Sequence, residues 1–356
     1  MNRTPPQDLS ELSPPAALTV LIPVYQRFTG ALRASHSVVA HNQGDLEAGR
    51  IRVVVCDDAS PSIDAESLRQ ELNAIHPLIT YQRNATNLGM SANILSMVIS
   101  CRSFFSTILT DDDWFEPGAL TDVLRILDSA WLTENGITSI LSPRYSYLET
   151  GELATISCRI HEGDHLFPPN PKESLLTLAE GAYILSGYFF RPDCIDYGLW
   201  RQHIDNAFFP IIYCTTILQK GATFYLDQPL VHHTTQNECH WHAWGPSDQA
   251  QQIRLCHDYL ESLAIVSRYG HRQHRSLTNR IQAHLERARS FGKRLIEKRH
   301  VVRSDLRNSV PRRLWRDPAF LQAFGGFLYF VLRTSPGMLV PSAWGATEQT
   351  PNGRHP

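Results

Sequence analysis

The patterned part of the chain opens with a short unbroken apolar run, LTVLIPV at 18–24, and a similar run recurs three times. Runs of this kind suit strands buried on both faces of a parallel sheet. The second, at 51–56, stops at Asp57-Asp58, and the third covers 78–82. The fourth, FFSTIL at 104–109, stops at Thr110-Asp111-Asp112-Asp113. Stretches of helical periodicity fill the intervals at 29–43, 65–75 and 91–102. Strand alternating with helix predicts an α/β fold, a mostly parallel sheet wound on both faces by helices. Ligands of such sheets sit outside the carboxyl ends of the strands, near the point where strand order reverses. Both acidic clusters fall at strand ends, so they belong to that edge.

Beyond 125 the pattern is mixed, with strands expected at 137–141, 183–190 and 223–226. The stretch 248–300 reads as helix, broken near Gly270, and its second half carries a narrow apolar stripe at Ile281, Leu285, Ala288, Phe291 and Leu295. Residues 319–332 are apolar except for Gln322. As a helix this run would span about 21 Å, short of a hydrocarbon core of roughly 30 Å. The expected organisation is a flexible arm over 1–17, an α/β domain over 18–235 with halves at 18–125 and 126–235, a basic helical region over 236–340, and a flexible tail over 341–356.

Composition narrows the class. The chain has 356 residues, 42% hydrophobic and 19% charged, which excludes disordered and fibrous proteins. The net charge of −2 says nothing about partners, but residues 287–316 hold eleven Lys and Arg against Glu297 and Asp305. That basic stretch, followed by the apolar run at 319–332, forms a pair of membrane-surface signals. Docking of the run against the catalytic fold as core is the competing reading. No nucleic-acid-binding module accompanies the basic residues, and no nucleic-acid partner is expected. The first residues lack an apolar run behind a positive segment, so the expected location is cytoplasmic, peripheral on the inner face of the cell membrane. Seven cysteines, an odd number without CxxC spacing, suit scattered reduced thiols.

The triple Asp111-Asp112-Asp113 is the sharpest chemical feature. Its plain reading is a solvated turn capping the helix announced by Glu116-Pro117. Its functional reading is a site for a hard divalent cation, Mn²⁺ or Mg²⁺, which prefers carboxylate oxygens and leaves positions open for phosphate. His232-His233, with Cys239, His240 and His242, invite a zinc reading, but their spacing fits no zinc signature.

Four motifs occur in order: LIPVYQR at 21–27, VVVCDDAS at 53–60, NLGMSANI at 87–94 and TDDDWFEP at 110–117. Together they resemble the nucleotide-binding half of glycosyltransferase family 2, over about residues 18–125, with Ala59 where the family has Gly. The resemblance implies a GT-A fold, a nucleotide-sugar donor, transfer with inversion, and a Mn²⁺ or Mg²⁺ cofactor. Within the family the sequence looks most like bacterial enzymes of O-antigen and capsular polysaccharide synthesis, whose acceptors are glycans or lipid-linked. Carried over by position, Pro23 and Tyr25 would border the base and ribose, and Asp57 and Asp58 would meet the nucleotide, Asp58 through the base. Asn87, Gly89 and Asn93 would lie along it. Asp111 would meet the ribose or the metal, Asp112 and Asp113 would hold the metal, and His232 would stand near it. Which carboxylate ligates directly stays open. Asp205, in an Asp-x-x-Phe-Phe setting, resembles the family's general base, with Asp193 and Asp196 as rivals. A nucleotidyltransferase and a non-catalytic nucleotide-sugar-binding protein are the competing readings.

Overall fold

The computed structural model describes residues 16–147, 152–171 and 174–234, together with 258, 259, 261, 262, 265, 266 and 269. In chain order the elements are β1 (Ala16–Val24), α1 (Phe28–Val39), α2 (Gln43–Glu47), β2 (Ile51–Asp57), α3 (Ala65–Ile75), β3 (Ile79–Arg83) and α4 (Met90–Ser100). There follow β4 (Ser103–Ile108), β5 (Trp114–Phe115), α5 (Ala119–Leu127), α6 (Ala130–Glu134), β6 (Ile137–Leu141), β7 (Arg144–Tyr147), β8 (Leu153–Ser157) and β9 (His165–Phe167). The last are α7 (Leu175–Gly181), β10 (Tyr188–Phe190), α8 (Tyr197–Gln202), α9 (Phe209–Leu218), β11 (Ala222–Tyr225) and β12 (Val231–Thr234).

The four apolar runs become β1 to β4, and they pair in parallel in the order β3-β2-β1-β4. From β1 the chain winds through α1 to one side, then returns through α4 to place β4 on the other side. The strand order therefore reverses between β1 and β4, and the crevice at their carboxyl ends is the expected ligand site. Leu18, Val20 and Ile22 of β1 are fully buried, and Val53, Val55 and Phe105 join them in the core. Helix α1 covers this face with small and β-branched residues, Ala31, Ala34, Val38 and Val39, so its backbone lies close to the sheet. Leu120, Val123, Leu124 and Leu127 line the buried face of α5 at helical spacing.

The sheet continues as β4-β10-β6-β11-β9, where β10 runs antiparallel to both its neighbours and β9 antiparallel to β11. A second sheet, β5-β12-β7-β8, stands apart from it. Neither the antiparallel insertion nor the second sheet follows from the hydrophobic pattern. The strand expected at 183–190 shrinks to Tyr188–Phe190 for a physical reason. The buried guanidinium of Arg144 takes hydrogen bonds to the carbonyls of Gly181, Ile184 and Ser186, and Gly187 turns the chain at φ +85°. Those carbonyls accept from Arg144 in a stretch that pairs with no strand. Of the helix expected at 248–300, the described positions from 258 to 269 are helical, and the remainder lies outside the described residues. The arm at 1–17, apart from residues 16 and 17 at the start of β1, the basic stretch 287–316, the apolar run 319–332 and the tail also lie outside them.

Candidate active site

The turn after β1 and the turn after β4 meet at the reversal point. The backbone N–H of Tyr25 donates to Asp111 Oδ2 at 3.2 Å, while Pro23 and Tyr25 stay partly exposed at the strand end. One nitrogen of Arg27, Nη1, reaches Asp111 Oδ1 and Asp112 Oδ2, both at 2.9 Å. Arg33 donates to the Asp112 carbonyl at 2.6 Å and lies over the Trp114 ring, 4.2 Å from its centre. Burial pushes the Asp111 carboxyl up from 3.8 to about 7, against the pull of the Arg27 guanidinium, which favours its ionised form.

Gly30 makes this approach possible. A Cβ built there would sit 2.0 Å from the Asp111 carbonyl oxygen, so any side chain must push α1 away from the acidic turn. Gly30→Ala is therefore expected to cost about 1–3 kcal/mol of stability and to weaken donor binding. Thermal unfolding and nucleotide titration of this variant check it; an unchanged midpoint and affinity would show that α1 does not need its close seat.

Asp113 faces another way. Fully buried, it accepts from Thr110 Oγ1 at 2.7 Å and pairs with His233 Nδ1 at 3.1 Å. Helix α5 begins only at Ala119, behind Gly118 at φ +82°, so the plain reading of the aspartates as its cap does not hold. His232 stands away from the aspartates. Successive residues of a strand point to opposite faces. On β12 it is therefore His233 that meets Asp113, while His232 pairs with Glu116 and stacks on Trp114 with ring centres 5.0 Å apart.

The turn after β2 is built around two carboxylates. Asp57 is fully buried, held by Arg83 at 2.8 Å and by the N–H of Ser60 at 3.0 Å. Its oxygens stabilise the turn. Asp58 accepts from Asn84 Nδ2 at 2.8 Å and from the N–H groups of Leu88 and Gly89, both at 2.9 Å. It thereby pins the loop that carries Asn87 and Gly89, both exposed. Gly89 has φ +84° and ψ 153°, a region open essentially to glycine alone, and no described atom lies near a Cβ placed there. Backbone conformation, not close approach of protein, demands glycine at 89. Asn93 is buried and bonds Asn84 and the Cys56 carbonyl, so it braces the loop from behind. Ala59 has φ +54°, which explains why glycine suits this position in the family's motif.

On the other side of β4, Ser186 Oγ accepts from the Thr110 N–H at 3.1 Å, which ties the loop 181–187 to the acidic turn. Tyr183 of that loop stacks on Phe208, and Trp200 donates to Ser91 Oγ at 3.0 Å in the first turn of α4. The segment 203–209, with Asp205 exposed on it, thus borders the same edge of the sheet. Asn206 is buried and bonds the Asp258 carbonyl and Glu261, at 2.9 and 2.8 Å, fixing the backbone beside Asp205. The rivals Asp193 and Asp196 are otherwise engaged: Asp193 pairs with Arg191, and Asp196 caps α8 through the N–H of Leu199 at 2.9 Å.

Residues 19–133 match the family described as Glycosyl transferase family 2. The match is to this segment, about a third of the chain. It holds Pro23, Tyr25, Asp57, Asp58, Asn87, Gly89, Asn93 and Asp111–Asp113, and ends before Asp205 and His232. No curated protein matches the chain. Among solved structures, Staphylococcus aureus TarS 1–349 superposes at a TM-score of 0.54 with 13% identity, over 90% of this chain and 82% of that one. The same protein in complex with UDP-GlcNAc gives 0.56 and 15%, over 87% and 80%. That likeness shows the fold: the GT-A arrangement extends beyond the family 2 segment.

Arg27, Arg33 and Gly30 stand at this candidate site although no motif assigns them a role, and of the pair His232-His233 it is His233 that meets Asp113. Arg27 stands inside the quoted run LIPVYQR, yet nothing in the sequence links it to a carboxylate 84 positions later.

Among the described residues, no three His, Cys, Asp or Glu side chains already surround one point as a metal cluster. The donor chemistry nevertheless suits a hard cation: oxygens of Asp111 and Asp112 converge on a single positive atom, Arg27 Nη1.

Proposed function

We propose that the protein is a glycosyltransferase that moves a sugar from a nucleotide-sugar donor to a glycan or lipid-linked acceptor, with inversion, in bacterial surface polysaccharide synthesis. The observation that carries this is the convergence of Asp111 and Asp112 on one cation at the strand-order reversal of a family 2 segment. Pro23 and Tyr25 border the crevice where the base and ribose would lie, and the loop pinned by Asp58 closes its side. Asp111 and Asp112 would hold Mn²⁺ or Mg²⁺, which when bound neutralises the leaving nucleoside diphosphate. Asp113, braced by Thr110 and His233, shapes the turn that aims them. Asp205 takes the proton of the acceptor hydroxyl as its oxygen attacks the anomeric carbon. Attack from the face opposite the leaving group inverts that carbon.

A nucleotidyltransferase would carry a glycine-rich, basic phosphate loop after the first strand; here β1 leads through Tyr25-Gln26-Arg27 straight into α1. The basic and apolar stretch 287–332 supports a lipid-linked acceptor at a membrane surface, and no helix among the described residues is long and apolar enough to cross one. A thermal-shift series with UDP-sugars, GDP-sugars and the free diphosphates tests the donor assignment. A ligand at a hundred times its Kd adds about 2.7 kcal/mol of apparent stability. One nucleotide class is expected to raise the unfolding midpoint by several degrees with Mn²⁺ and little without it. No shift by any of them would reject the reading.

A further inference from the structure

Arg27 stands where its charge has a consequence for the order of binding. Its Nη1 lies 2.9 Å from Asp111 Oδ1 and 2.9 Å from Asp112 Oδ2. Divalent ions of this class hold carboxylate oxygens at about 2.0–2.2 Å, so an ion bridging these two oxygens from the side the guanidinium occupies would lie closer to them than the nitrogen does and would overlap it. Guanidinium and ion exclude each other on geometric grounds. The backbone under Arg27 is fixed, since the Gln26 N–H donates to Ser60 Oγ at 2.8 Å and the Arg27 carbonyl accepts the Ala31 N–H at 3.0 Å. The side chain itself is about a quarter exposed, at 27%. Exchange by rotation of the side chain on that held backbone is part of the proposal. Arg27 is also the residue at the N-terminus of the twelve-residue α1, where the helix favours negative charge. A guanidinium released there stays beside the place where a diphosphate would approach.

We propose that Arg27 is a built-in counter-cation that keeps the Asp111–Asp112 pair closed to divalent ions until a nucleoside diphosphate arrives, and then passes from the carboxylates to the phosphates. This rests on the reading of the pair as the donor's cation site. The donor and the ion then bind with positive coupling, and each raises the other's affinity by the same factor. Arg27 acts in this scheme by direct contact. It touches the carboxylates before the donor binds and the phosphates afterwards.

The test is a titration of the full chain with Mn²⁺ in the absence of nucleotide, followed by the electron paramagnetic resonance of the free ion. Arg27→Gln is expected to bind Mn²⁺ at least about tenfold more tightly than wild type, because a competing charge is gone. Arg27→Lys keeps that charge and is expected to stay near wild type; circular dichroism confirms that both are folded. Adding Asp112→Asn to Arg27→Gln should abolish the gain. Addition of UDP or GDP, whichever stabilises the protein, should tighten Mn²⁺ binding more in wild type than in Arg27→Gln. Equal Mn²⁺ affinity in wild type and Arg27→Gln, with binding still lost in Asp112→Asn, would overturn the role of Arg27 and leave the cation site standing. Equal gains in the Gln and Lys variants would overturn it too. Mn²⁺ binding that survives Asp111→Asn with Asp112→Asn would overturn the cation site itself.

Discussion

Asp112→Asn is expected to lower the rate of nucleoside diphosphate release from the donor by about a thousandfold, the scale on which a preorganised electrostatic group acts at a reacting centre. The carboxylate of Asp112 is partly exposed and pairs with Arg27 Nη1 at 2.9 Å. Asparagine keeps its shape and removes its charge, and the backbone carbonyl that receives Arg33 is unaffected. The unfolding midpoint should therefore hardly move while turnover collapses. Asp113→Asn is a different experiment, because that side chain is fully buried between Thr110 and His233. It should cost about 1–3 kcal/mol of stability through a disturbed buried network. Initial rates and melting curves of the two variants separate a ligand-facing acid from a bracing one. An Asp112→Asn enzyme with wild-type turnover would remove the cation pair from the mechanism.

The second large effect concerns the proton. Asp205→Asn is expected to reduce kcat by roughly 10² to 10⁴ with donor affinity close to normal, since a general base acts in the transition state. The side chain is exposed, so its replacement should leave stability within about 0.5 kcal/mol. The backbone around it is held by Asn206, whose bonds to Asp258 and Glu261 do not involve Asp205. Steady-state kinetics at saturating donor decide the matter. Full kcat in the variant would pass the role to another group.

The parallel half of the fold was legible because β1, β2 and β4 are largely buried and so appear as nearly continuous apolar runs, those of β2 and β4 leading into acids. The antiparallel half was not, since β10, β9 and β5 are two or three residues long and too short to show a period. The strand expected at 183–190 failed because the hydrogen bonds of its carbonyls go to Arg144, a side chain some forty residues earlier. At the site, the acidic residues could be read from local sequence, but their duties could not. Asp57 and Asp58 are neighbours, yet one faces Arg83 and the other pins Leu88 and Gly89. Asp112 and Asp113 are neighbours, yet one faces the Arg27 guanidinium and the other a half-buried histidine, His233. Adjacent positions diverge wherever a strand or turn sends alternate side chains to opposite sides. The same alternation turns His232 to Glu116 and His233 to Asp113.

Release of nucleoside diphosphate from a panel of nucleotide sugars, by the full chain with Mn²⁺ and without acceptor, tests the central claim most directly. The account predicts slow release from one donor class, abolished by Asp112→Asn and accelerated when a suitable glycan or lipid-linked acceptor is added. Tight binding of a nucleotide sugar with no release from any donor, acceptor present or not, would contradict it and mark the crevice as a binding site without chemistry.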